Sequence, residues 1–211
     1  FVLQPNQARV MIFFGEYRGT FRETGYFWVN PFMTKKKVSL RIRNMDIAPI
    51  KVNDKIGNPV MIGMVLVWKV SDTYRAVFDV DAGDESAISV SNDGKNVQAA
   101  STGDKIAKAL NAFVSIQSDA ALREVTGRYA YDEEDGKHQE ITLRSDASEI
   151  NEQLEAKLNE RMAIAGIEVV EARLNYLAYA PEIAAVMLRR QQASAIISAR
   201  EKIVEGAVSM V

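Results

Sequence analysis

Eleven consecutive residues, Val60 to Val70, carry apolar side chains on both parities of an extended chain. Val60, Ile62, Met64, Leu66, Trp68 and Val70 fall on one side, and Met61, Gly63, Val65 and Val67 on the other. A strand apolar on both faces is either central in a covered sheet or lies at an interface. The covered central strand is the expectation, with Trp68 in the core rather than at a binding surface. Its neighbours are shorter. Arg9 to Phe14 is β-rich and stops at Gly15, and Gly19, Gly25 and Asn30-Pro31 punctuate the next stretch as turn residues do. Lys37 to Arg43 alternates, with Val38, Leu40 and Ile42 on one face and a basic outer face opposite. Ile47 to Val52 reads as another short strand, and Asp54 to Asn58 as the loop of a hairpin.

The pattern then changes. From Asp81 to about Lys105 Ser, Asn, Asp, Gly and Ala dominate without a sustained period, as expected of a flexible surface insertion. Helical character returns near Asp104, runs through Leu110, and resumes from Ala120 to Tyr129. Asp146 and Glu149 fit a capping box before a helix whose face is Ile150, Leu154, Leu158 and Met162, stopped by Gly166. Ile167 to Leu177 alternates, which puts Val170, Ala172, Leu174 and Tyr176 inward and Glu171, Arg173 and Asn175 toward solvent. Pro181 sits where a first helical residue belongs.

Beyond Pro181 the chain has no Gly or Pro until Gly206. A helix from there to Val211 is about 46 Å long at about 1.5 Å per residue. A heptad fits it poorly, whereas an eleven-residue spacing aligns Val186, Ala193, Ile197, Val204 and Val208 in one stripe, the pattern of a straight or slightly right-handed association. The chain opens at Phe1 without an initiator Met and closes while this helical pattern is still running, so it is expected to be a piece of a longer protein.

Residue types exclude much chemistry. With 47% hydrophobic residues the chain buries a core without staples, and a formal net charge of -2 argues against a general nucleic-acid binder. The absence of Cys removes thiol catalysis, thiolate metal sites and disulfides, and leans toward a reducing compartment. No run of about 18 apolar residues marks a transmembrane helix. His138, the single histidine, lies beside the acidic stretch Asp132 to Asp135, where a solvated loop is the expected state and a zinc site has no second nitrogen or sulfur ligand. Gly94-Lys95 and Gly136-Lys137 lack the rest of a phosphate-binding loop, and no G-x-S-x-G elbow occurs. No catalytic, cofactor or metal residues are assigned.

One stretch does suit a membrane interface. Phe27, Trp28 and Phe32 are followed at once by Lys35, Lys36 and Lys37. Aromatic rings sit at headgroup depth, and each cation near an anionic surface contributes roughly 1 kcal/mol. The other possibility is that these rings pack in the core and the lysines are ordinary edge charges.

In order along the chain, several segments resemble the stomatin/prohibitin/flotillin (SPFH, Band 7) family, in particular its bacterial stomatin-like members. They include Gln4-Pro5-Asn6-Gln7-Ala8, Phe14-Gly15-Glu16-Tyr17-Arg18-Gly19-Thr20, Gly25 to Phe32, and Val52 to Val60. Further on come Val67 to Asp72, Ala121-Leu122-Arg123-Glu124, Glu171 to Leu174, Ala178 to Ala184, Arg189 to Ala193 and Ile203 to Ala207. The resemblance implies an α+β domain over residues 1–180, with antiparallel strands first, an insertion at about 81–105, and an α/β half. It implies that residues 181–211 begin a long, coiled-coil-like oligomerisation helix. It further implies a non-catalytic scaffold, anchored in the membrane upstream of Phe1, that forms homo-oligomers, contacts membrane lipid, organises membrane microdomains and regulates a membrane protease or channel. The domain is expected on the cytoplasmic side, although the family places it on either side. A soluble self-assembling module of vault-like type, without an anchor, is the alternative. An enzyme with a carboxylate pair that leaves no local signature is the third reading.

Overall fold

The computed structural model describes residues 1–80, 102–131, 143 and 147–209. In chain order these form β1 (Val2–Leu3), β2 (Gln7–Phe13), β3 (Glu16–Phe21), β4 (Gly25–Tyr26), β5 (Thr34–Ser39), β6 (Arg43–Asn53) and β7 (Pro59–Val70). The remaining elements are α1 (Thr73–Phe78), α2 (Thr102–Thr126), α3 (Ala147–Met162), a 3-10 turn at Ala163–Ala165, β8 (Ile167–Tyr179) and α4 (Pro181–Val208). The fold is α+β. The antiparallel sheet β6-β7-β8 carries the centre of the domain, β3-β2-β5 forms a second antiparallel sheet, and β1 pairs with β4 in a short ribbon.

The doubly apolar run is the central strand β7, between β6 and β8. Its even-numbered side chains from Val60 to Val70 are buried, Trp68 completely, while Met61, Val65 and Val67 are half-buried. The core joins that face to Ile106, Leu110, Val114, Leu122 and Val125 of α2 and to Ile150, Leu154, Leu158 and Met162 of α3. The four-residue spacing of the α3 face is therefore a packing pattern, and all four of its residues are buried. Gly166 closes this unit at φ 65°, in the left-handed region. A Cβ there would lie 2.4 Å from the Asp72 carbonyl oxygen, so the site excludes any side chain. The Gly166 carbonyl in turn accepts from the Ser71 and Asp72 N–H groups at 2.9 and 3.0 Å, which ties the start of α1 to the start of β8.

Several expected boundaries shift, each for a local reason. The strand expected over Lys37 to Arg43 ends at Ser39, because the chain leaves one sheet there and enters the other at Arg43. Val38 is buried, Leu40 is half-buried, and Ile42 is exposed in the crossing. The strand expected over Ile47 to Val52 is the longer β6, with a register shift between Ile47 and Ile50 where Pro49 has no N–H for the ladder. The two helical stretches after the insertion are one continuous helix, α2, which starts at Thr102.

In β8 the strict alternation fails. Val170 and Tyr176 are exposed rather than inward, and the inward set is Ile167, Val169, Ala172, Leu174 and Leu177. Two register shifts explain this: Trp68 pairs with Val169 but Val67 with Glu171, and Met64 pairs with Leu174 but Gly63 with Tyr176. Each extra residue flips the parity of everything beyond it. The Asp146 half of the expected capping box, the 81–101 part of the insertion, and His138 with its acidic neighbours lie outside the described residues.

Candidate membrane-facing and assembly surfaces

The sheet β3-β2-β5 sends alternate side chains to opposite faces, and this divides the expected membrane-proximal residues. Lys35 and Lys37 share a face with Arg9, since Arg9 pairs with both Lys37 and Phe21, and Met11 with Lys35. On that face the rings of Phe1, Phe21 and Phe27 form a cluster with centroids 5.5 to 6.3 Å apart. The Arg9 guanidinium and the Lys35 ammonium lie 4.8 and 5.6 Å from the Phe1 centroid. Phe27 is thus half-buried against its neighbours. Lys36 points the other way and lies 5.7 Å from the Phe78 centroid. Trp28 and Phe32 have no such cover: they are 86% and 74% exposed on the connection that feeds β5.

Phe14 carries no membrane signal of its own in the sequence. It sits with Gly15 in the two-residue turn joining β2 to β3, and both have positive φ, 47° and 87°. Positive φ at both central residues is the signature of a type I′ hairpin turn, which favours Asn-Gly. A left-handed backbone costs a residue with a Cβ roughly 1–2 kcal/mol. Here that conformation is occupied by a bulky ring that is 86% exposed and touches Phe13 edge-on at 4.7 Å.

The second surface is α4. At about 1.5 Å per residue its 28 residues span about 42 Å. Pro181 begins it, and its root is fixed by the β6–β7 hairpin. Ala180 N–H donates to the Pro59 carbonyl at 2.9 Å, and the Lys51 ammonium lies 2.7 Å from the Glu182 carboxylate. That ammonium, with the Glu182 backbone, holds the Glu182 carboxyl below the usual carboxylate range.

The hairpin loop is itself locked by Asp54, a buried carboxylate whose sequence neighbours suggest only a plain loop residue. One oxygen accepts from the Ile56 and Asn58 backbone N–H groups at 3.0 and 2.7 Å, and the other from the Tyr131 N–H at 3.2 Å. Tyr131 stacks at 4.0 Å on Tyr179, two residues before α4 starts. An acidic residue three positions before Gly57 is the available signal, because Asx turns of this kind precede a left-handed residue.

Along its whole length none of the α4 residues is buried. Val186, Ala193, Ile197, Val204 and Val208 are all exposed. Their spacings of seven and four residues return each within about 40° of the last, so they form one line. Ile196, Ile203 and Ala207 flank it, and shallow apolar concavities run along Ile197, Val204 and Val208 and along Ile203, Val204 and Ala207. Among the described residues no group of His, Cys, Asp or Glu is disposed to hold a metal ion, and no helix is long and apolar enough to cross a membrane.

A β-rich first half, an α/β second half and an exposed terminal helix make up the described domain. The family model described as SPFH domain / Band 7 family matches residues 1–207, and the chain belongs to that family. Its members are generally membrane-associated scaffolds without catalysis, and they typically oligomerise. A comparison with curated proteins returned no match.

Proposed function

We propose that the chain is the membrane-facing and assembly-forming part of an oligomeric scaffold, anchored upstream of Phe1, with its domain on the cytoplasmic side. In this reading α4 joins copies of the chain into a homo-oligomer. The assembly organises a membrane microdomain and regulates a membrane protease or channel held within it. No catalytic step is assigned to any residue.

The observation that carries the reading is the bare stripe on α4. An apolar line of this length in water is unfavourable, and an isolated helix is marginal without a partner. None of the α4 residues belongs to the buried cluster that joins β7 to α2 and α3. Sedimentation velocity tests the reading. A form ending at Gln192 is expected to be largely monomeric, the chain ending at Val211 to associate weakly, and a longer form continuing past Val211 with any anchor removed to give a large, defined oligomer. A longer form that stays monomeric at high concentration, with and without lipid, contradicts it.

A further inference from the structure

We infer that the sheet β3-β2-β5 meets an anionic phospholipid surface end-on, with Phe14 at the hairpin tip as its inserted wedge. This deepens the membrane half of the reading above and rests on it. Three observations converge. The first is the tip itself: a ring held in a left-handed turn and left in water has a conformational cost with no compensating contact beyond Phe13. Strained positions of this kind concentrate where a surface has a job to do.

The second is register. Ile12 pairs with Thr34 at the last rung of the ladder, so the tip that carries Phe14 and the turn that carries Phe32 lie at the same end of the sheet. Exposed Trp28 lies on the connection that leads there. The third is charge. Residues 1–43 hold eight Lys and Arg against two acidic residues, in a chain of net charge -2. Lys35, Lys36 and Lys37 follow Thr34, the first residue of β5, by one to three residues, about 3 to 10 Å at the rise of a strand. Their alternation, which would split them between near and far if the sheet lay flat, puts a cation on each face at similar depth when the sheet enters end-on. Rings at the acyl boundary and lysines reaching back to phosphates form an insertion tip with a basic collar.

The test is flotation of the chain with vesicles of phosphatidylcholine alone or of equimolar phosphatidylcholine and phosphatidylglycerol, for wild type, Phe14→Asn and a Lys35→Gln/Lys36→Gln/Lys37→Gln variant. Asn is the residue this turn favours, so Phe14→Asn is expected to raise or keep the melting temperature while lowering partition into the mixed vesicles about tenfold. The triple variant is expected to lose the preference for the anionic vesicles, and added salt to weaken the wild type in the same way. Unchanged partition of Phe14→Asn overturns the wedge, and equal wild-type binding to both vesicles overturns the anionic specificity. Failure of the wild type to bind either vesicle overturns the inference as a whole and leaves the assembly reading standing, since sedimentation reads that without lipid.

Discussion

The central sheet and α4 carry comparable apolar residues and do opposite things with them. Val60, Ile62, Met64, Leu66 and Trp68 of β7 are fully enclosed, whereas Val186, Ile197, Val204 and Val208 of α4 are between 58% and 70% exposed. Composition alone does not separate the two regions. What separates them is cover: β7 has a strand on each side and two helices over one face, and α4 touches the domain through its first turns alone, where Ile183 and Met187 are half-buried. In the proposed reading, stability and self-association therefore rest on different parts of the chain. Substitutions can address them one at a time.

The largest effect belongs to the enclosed region. Trp68→Ala is expected to destabilise the domain by about 3–5 kcal/mol in chemical denaturation, as truncation of a fully buried aromatic does. Val204→Ala on α4 is expected to shift the monomer by less than about 0.5 kcal/mol. Similar losses at the two positions would show that α4 is packed as tightly as β7. Next comes the hairpin that roots α4: Asp54→Ala strands the backbone N–H groups of Ile56, Asn58 and Tyr131 and is expected to cost about 2–3 kcal/mol. The same variant should loosen the orientation of α4, which a spin-label distance between the domain and the helix reads.

A smaller, pH-dependent effect sharpens the picture at the α2–α3 contact. Glu124 hydrogen-bonds Arg161 at 2.7 Å, with Lys157 and Arg128 close by, and these partners depress its pKa below the ordinary Glu value of 4.5. Because the folded pKa lies below the unfolded one, the contribution is present above the unfolded value and is lost as pH falls through the folded value. Lys157, raised above 10.5 first by its hydrogen bond to Glu160, behaves in reverse and loses its contribution as pH climbs through the folded value. Melting temperature against pH should therefore show a shallower acid limb for Glu124→Gln than for wild type. Coincident acid limbs would remove the network from the stability account. Least affected of all should be the fold of a chain truncated at Gln192, whose melting is expected to match the full chain.

Much of the enclosed region is legible from residue pattern. The doubly apolar run, the Ile150–Met162 face, the stop at Gly166 and Pro181 at a helix start are all local signals, and no register shift along these segments moves their buried residues off one face. What escapes is set by pairing between distant segments. The parity of β8 depends on two bulges against β7, which no run of eleven residues reveals. Asp54 reaches Tyr131 across 77 positions, so its role is invisible from its neighbours. The lysine triplet reads as one cluster along the chain, and the pleat sends its middle member to the opposite face. Phe14 is hidden by its own chemistry, since an aromatic at the end of a β-rich run looks like core until the turn shows it in the left-handed region.

In the proposed assembly the α4 stripe is a surface for a second copy of the chain. Residues 1–211 contain no cysteine, so with any cysteine of the added segment replaced, single-cysteine variants report on it without background. Maleimide labelling of Val204→Cys on the stripe can be compared with that of Lys202→Cys, about 160° away around the helix. Both rates are measured once at concentrations where the longer form sediments as an oligomer and once after dilution to monomer. Pairing through the stripe predicts that assembly slows labelling of Val204→Cys and leaves Lys202→Cys unchanged. Equal protection at both positions, or none at Val204 in a form that is demonstrably oligomeric, would contradict it.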